Sequence, residues 1–233
     1  MSSVKPSPPL TLSAKTKKKP RLFRNFCYDF VYATGAIPAL IWLRPKIHYP
    51  DGRPNKKGAV LVLANHRTLI DPILVQTAFP FRRMNSIATK DLFSSPAKEK
   101  FFTLMNCIKI DKDNFSTSSF HEIVERLGEN KLVVIFPEGE VHVGSGHEIL
   151  AFKPGVVLMA HRSGAPVIPL YVAEKRKWYH RQHMVMGQAV DIREMLGRIP
   201  TVDAIASASN TLREKEMELR AYYESHCQKK RKG

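Results

Sequence analysis

Cysteine is scarce. Cys27, Cys107 and Cys227 are the only three in 233 residues, far apart and odd in number. That excludes a disulfide framework, and the spacing is not that of a metal-binding cluster, so a reducing compartment is the expectation. Acidic side chains are few as well: 21 against 37 Lys and Arg, a formal charge of +16 with pI near 9.9. An ordinary soluble enzyme has no such excess, which implies a polyanionic partner: nucleic acid, anionic lipid or a phosphorylated substrate. Long uninterrupted apolar runs are missing too. The mostly apolar stretch Phe26 to Leu43 is at the short limit for a spanning helix, and Asp29, Gly35 and Pro38 interrupt it. A signal peptide fits poorly, because the basic flank is long and no small-residue cleavage site follows. No internal repeat is present.

What remains fits one globular domain with appended segments, since 43% hydrophobic residues in a chain of this length can build a sizeable core. Residues 1–25 are Ser/Pro/Lys-rich with few large apolar side chains and are expected to be a disordered basic tail. Residues 26–56 are expected to hold a membrane-associating helical segment and a linker. Phe26, Tyr28, Tyr32 and Trp42, with Arg21, Arg24, Arg44 and Lys46 flanking, suit an amphipathic or re-entrant segment in one leaflet. A buried core helix is the alternative. Residues 57–200 alternate short apolar runs with helical patterns, and 201–233 predict a terminal helix closed by Lys229-Lys230-Arg231-Lys232.

Strands are predicted over 59–64, 86–89, 107–110, 132–136, 167–172 and 184–186, and helices over 72–79, 96–105, 118–127 and 154–162. Gly128 and Gly164 stand where left-handed helix ends are expected. This alternation predicts an α/β fold: a largely parallel central sheet flanked by helices, with the N-terminal membrane-associating helical segment outside it.

One octapeptide, Asn65-His66-Arg67-Thr68-Leu69-Ile70-Asp71-Pro72, lies between an apolar strand and a helix. In an α/β sheet such a corner falls at the carboxyl end of a strand, where ligands bind. An imidazole held by a carboxylate is a general base suited to pH 7. Asp71 before Pro72 is also the preferred sequence of a helix N-cap followed by proline. On one ideal helix the two side chains would point roughly 140° apart. They meet only if His66 is in the turn, with Asp71 capping through one oxygen and orienting the imidazole through the other. Phe136-Pro137-Glu138-Gly139 repeats the arrangement after the apolar run Leu132-Val133-Val134-Ile135, on the same sheet edge, with proline and glycine setting the turn. A solvated strand-ending glutamate is the plainer reading of that corner.

These two motifs, followed by Val167-Ile168-Pro169-Leu170, resemble the glycerolipid acyltransferases, and most of all the bacterial 1-acylglycerol-3-phosphate (lysophosphatidate) acyltransferases. Order and spacing agree over roughly residues 27–190. The resemblance makes 57–200 the acyltransferase domain. It implies that His66 takes the proton from an acceptor hydroxyl attacking an acyl thioester, that Asp71 orients it, and that no acyl-enzyme forms. It further implies acceptor binding by Glu138, Gly139, Lys90 and Lys112, and structural turns at Pro137 and Pro169. It implies no cofactor.

Where the family usually has Phe-Pro-Glu-Gly-Thr-Arg-Ser, this chain has Glu140, Val141 and His142 after Gly139. An arginine that holds phosphate bidentately is thereby missing. Lys153, which opens a predicted helix whose N-terminus favours anions, is the candidate substitute. His142 and His147 lie in a glycine-containing loop without helical ligand spacing, so no metal site is expected. The charge is expected to serve an anionic membrane surface rather than nucleic acid, since the basic tails lack interleaved aromatics and no nucleic-acid motif is present. The expected partners are thus acyl-CoA or acyl carrier protein, a lysophospholipid and the membrane, with the protein peripheral or monotopic on the cytoplasmic face of the cell membrane. The expected reaction makes phosphatidate. Another lyso-lipid or glycerol 3-phosphate as acceptor, and an inactive lipid-binding relative, are the alternatives.

Overall fold

The computed structural model describes residues 21–68, 70–111, 116–137, 152–174 and 181–228. The chain enters through α1 (Arg21–Val31), which passes through a π-helical turn (Tyr32–Ala36) into α2 (Ile37–Leu43). There follow β1 (Lys46–His48), β2 (Val60–Ala64), α3 (Asp71–Ala78), β3 (Met84–Thr89), α4 (Pro96–Leu104), β4 (Ile108–Ile110), α5 (Thr117–Gly128) and β5 (Leu132–Ile135). Then come α6 (Gly155–Ser163), β6 (Val167–Val172), β7 (His183–Met186), α7 (Ile192–Leu196) and α8 (Val202–Tyr222), which closes in a second π-helical turn, Tyr223–Gln228.

Among the described residues seven strands form one sheet, in the order β1-β7-β6-β2-β5-β3-β4. β2, β3, β4, β5 and β6 run parallel, whereas β7 pairs antiparallel to β6 and β1 parallel to β7. β2, β5 and β6 are apolar throughout and buried at every position, as central strands covered on both faces must be. Their side chains alternate between two cores. Leu61, Leu63, Val133 and Ile135 face Ile123, Val157, Ala208 and Leu212 of α5, α6 and α8. Val60, Val62, Ala64 and Val134 face Leu74 and Val75 of α3 and Leu43 of α2. The carboxyl ends of five parallel strands therefore share one edge.

Four local features depart from the sequence-based expectations. β1 is a strand within the stretch expected as linker; three residues at a sheet edge carry too little pattern to be seen in advance. α7 was not predicted either, although Asp191 caps it by accepting from the N–H groups of Arg193 and Glu194. Gly164 takes the left-handed conformation as expected, with φ of 70°. Gly128 does not: it is the last residue of α5, and the left-handed residue is Asn130.

The fourth is a correction. Pro169 is not in a turn but inside β6, opposite Leu63 of β2. Its carbonyl accepts from the N–H of Gly187, one residue beyond β7, and pairing resumes at Val167–Val190 with an extra residue on the second strand. The missing N–H thus falls at a bulge, one of the places where a sheet tolerates proline. Pro137 does occupy a buried turn directly after β5.

The π-helical turn between α1 and α2 also has a cause in the sequence. Pro38 has no N–H to donate to the fourth residue back, and its ring crowds that carbonyl. The helix widens just before it, with the Ile37 N–H reaching back to the Tyr32 carbonyl.

Candidate active site

His66 stands two residues past β2 and Asp71 is the first residue of α3. Their side chains meet: Nδ1 of His66 lies 3.1 Å from Oδ2 of Asp71. The expected helix-capping role of Asp71 is not observed. The N-cap position belongs to Ile70, without a side-chain bond, and the Asp71 carboxylate turns back into the preceding loop. There Oδ2 accepts from the backbone N–H groups of Arg67 (2.6 Å) and Thr68 (2.7 Å), and Oδ1 from the Thr68 hydroxyl (2.6 Å). Asp71 is 1% exposed, and a buried carboxylate needs such partners to hold its charge. The loop is wound around the carboxylate, which fixes where the imidazole points.

With Nδ1–H committed to Asp71, Nε2 is the nitrogen left to face substrate, with its lone pair available for a proton. His66 is partly exposed, as a base that must meet substrate requires. Its ring stacks on Phe136, the residue following β5, with centroids 4.3 Å apart and planes 24° apart. β2 and β5 are sheet neighbours, so the two motifs expected to share an edge do converge. Phe136 and Pro137 bring the second motif against the first; Glu138 and Gly139 lie outside the described residues, as do Lys112, Glu140, Val141, His142 and His147.

Lys90 follows β3 on the same edge, and its ammonium lies 2.7 Å from Asp111, the residue after β4. Lys153 is exposed in the turn that leads into α6, whose N-terminus lies towards this edge. The structure thus joins His66, Asp71 and Phe136 directly, with Pro137 next in the chain, and carries Lys90, in a short 3-10 helix, and Lys153, ahead of α6, on the same sheet edge.

Three residues of the site had no role assigned from sequence. The Asn65 side chain clamps the loop to β6, donating to the Val172 carbonyl (3.0 Å) and accepting from the Val172 N–H (2.7 Å). Thr68 buttresses Asp71, and Phe136 supports the imidazole. All three stood inside the motifs; the signal was a polar or aromatic residue flanking the expected base. Asn65→Ala is expected to leave two buried backbone groups unpaired, costing about 2–4 kcal/mol. Differential scanning calorimetry would show this as a Tm lowered by roughly 5–10 °C.

Burial pushes the Tyr171 phenol up, with Arg67 and Arg220 pulling weakly the other way. Burial likewise pushes the Cys107 thiol up, and Cys107 precedes β4 rather than following it, away from the carboxyl edge. A protonated thiol is a poor nucleophile.

A protein-family model described as Acyltransferase matches residues 44–173, which contain this site. A 1-acyl-sn-glycerol-3-phosphate acyltransferase from Limnanthes alba is 30% identical over 134 residues, covering 56% of this chain and 47% of that protein. One of the same name from Helicobacter pylori is 30% identical over 125 residues, covering 53% and 52%. A taffazin from Dictyostelium discoideum is 31% identical over 129 residues, covering 50% and 44%. The matches thus span about half the length of these curated relatives. The crystal structure of the 1-acyl-sn-glycerophosphate acyltransferase PlsC from Thermotoga maritima shares the fold. It superposes with a TM-score of 0.59 at 19% identity, covering 88% of this chain and 85% of that one.

Proposed function

For a chain that belongs to the acyltransferase family, we propose transfer of a fatty acyl group from a thioester to the sn-2 hydroxyl of 1-acylglycerol 3-phosphate, making phosphatidate. The observation that carries this is the His66–Asp71 pair at the carboxyl edge of the sheet, wedged against the corner that follows β5. Nε2 of His66 removes the hydroxyl proton as the oxygen forms its bond to the thioester carbonyl carbon. Asp71 stabilises the imidazolium that results. Collapse of the tetrahedral intermediate breaks the carbon–sulfur bond, and the proton passes from His66 to the departing thiolate. No serine or cysteine is acylated.

The donor is acyl-CoA or acyl carrier protein. Glu138, Gly139, Lys90, Lys112 and Lys153 are the proposed acceptor-binding set. In it Lys153, at the start of a nine-residue helix, stands in for the arginine that Val141 replaces. Relatives bearing the lysophosphatidate acyltransferase name support this acceptor, while Glu140 favours testing lyso-lipids with other head groups beside it. An acceptor panel with one acyl-CoA, in detergent micelles and read by thiol release, is expected to give its highest kcat/KM with lysophosphatidate. Equal or higher kcat/KM with an acceptor lacking phosphate would overturn that assignment.

The N-terminal helices support attachment of this chemistry to a bilayer. The helical stretch Leu22–Leu43 is long and apolar enough to cross a membrane by length and composition alone. Its contacts favour a helix lying in the interface. Tyr28 is buried, hydrogen-bonded to the Gln76 side chain and the Met84 N–H, and Asp29 pairs bidentately with Arg83. Phe23, Phe26, Phe30, Ile37 and Ile41 are exposed at helical spacing. One face is thus docked on the domain and the other presents exposed apolar side chains towards lipid, with Arg44 exposed at the end of α2 near anionic head groups. Attachment on the cytoplasmic face, where the thioester donors are, is part of the proposal. Replacing Phe26 and Phe30 together by aspartate is expected to weaken co-sedimentation with phosphatidylglycerol-containing vesicles by at least about 100-fold. Unchanged co-sedimentation would contradict this orientation.

A further inference from the structure

The chain holds a second constellation of reactive side chains, three strands away from β2 at the far margin of the sheet. His48 lies on β1, His183 opens β7, and Cys227 sits in the π-helical turn that ends α8. Residues this distant in sequence show no ligand spacing, which is why the sequence predicts no metal set. The fold nevertheless brings one donor atom from each within 4.8 Å of the others. Nε2 of His48 is 2.9 Å from Nδ1 of His183, and Sγ of Cys227 is 3.6 Å from both nitrogens of His48.

From this juxtaposition of His48, His183 and Cys227 we propose a binding site for one zinc ion that ties the end of the C-terminal helix to the β1–β7 margin. A tetrahedral zinc holds two imidazole nitrogens about 3.3 Å apart and a nitrogen and a sulfur about 3.6 Å apart. The sulfur already stands at that distance from His48, the two imidazoles need to part by only a few tenths of an ångström, and the Cys227 sulfur, within 4.8 Å of the His183 nitrogen, has at most a little over 1 Å to close. Two imidazoles and a thiolate are a borderline-to-soft donor set, which selects zinc over magnesium or calcium. Three protein ligands leave a fourth position for water or another donor. On binding, the Cys227 thiol gives its proton to solvent and coordinates as thiolate.

The surroundings suit a structural clip. β1 and β7 are in register, Lys46 beside His183 and His48 beside Val185, so both imidazoles stand on rigid backbone. The two rings are stacked, centroids 5.1 Å apart, and Tyr223 packs on His183 at 5.8 Å. Tyr223 in turn packs on Tyr171, and α8 covers the core beside β6 through Leu212 and Leu219. The ion would join the end of the C-terminal helix to the two strands that run opposite to the rest.

The test uses the full chain, purified without metal under reducing conditions. Cobalt(II), a spectroscopic stand-in, is titrated first, and zinc affinity is then measured by competition with a chelating dye. Expected are one equivalent of cobalt, a thiolate-to-cobalt charge-transfer band in the near ultraviolet, and a Tm raised by zinc. Cys227→Ser is expected to abolish the band and weaken zinc binding at least about 100-fold. His183→Gln is expected to weaken binding similarly, whereas the double change His142→Ala and His147→Ala leaves it intact. Metal-free Tm values of the variants separate misfolding from ligand loss. A band that persists in Cys227→Ser, or zinc affinity lost only with His142 and His147, would overturn the site. Neither result bears on acyl transfer, which rests on His66 and Asp71.

Discussion

Alanine in place of His66 is expected to lower kcat for thiol release by about 10³-fold or more, close to 4 kcal/mol of transition-state stabilisation. The fold should survive, since the ring is partly exposed and its lost contacts are the Asp71 bond and the stack on Phe136. KM for both substrates should change little, because the imidazole acts on a proton in flight rather than on a bound head group. A steady-state comparison of purified proteins, with Tm as the control for folding, separates these effects. Full turnover in His66→Ala would remove the mechanism.

Asp71→Asn should be almost as damaging, with kcat falling by about 10²–10⁴-fold, for a different reason. The imidazole would lose the anion that orients Nδ1–H and stabilises the imidazolium. The amide would also meet two backbone N–H groups and a hydroxyl that now share one carboxylate. A neutral oxygen accepts these less strongly, and one side of the amide is itself a donor. Tm should therefore fall alongside kcat, unlike in His66→Ala. Thr68→Val, which removes only the hydroxyl on Oδ1, should show the same pattern weakly. Asp71→Asn with wild-type kcat would reduce the carboxylate to a purely structural part.

The wound loop explains why some of the site was legible in sequence and some was not. His66 and Asp71 were readable as a pair because a strand, a turn and a proline-started helix leave few ways to arrange five residues. The direction of the Asp71 carboxylate was not, because helix N–H groups and loop N–H groups compete for it on nearly equal terms. The loop wins through two amides and a hydroxyl at once. β2, β5 and β6 were readable as buried strands from continuous apolar runs. Pro169 shows the opposite lesson: periodicity placed it in a strand, the family resemblance placed it in a turn, and the strand is what forms. β1 and the His48–His183–Cys227 cluster were invisible because their meaning depends on strand order, which no local pattern encodes.

His66 and Asp71 are proposed to drive direct transfer from thioester to acceptor hydroxyl. The most direct measurement mixes the purified protein with acyl-CoA alone, follows free thiol and the intact protein mass, then adds lysophosphatidate. An unmodified chain and no thiol are expected until the acceptor arrives, then thiol and phosphatidate in equal amounts. An acyl adduct on the protein, or thiol release that ignores the acceptor, would contradict direct transfer.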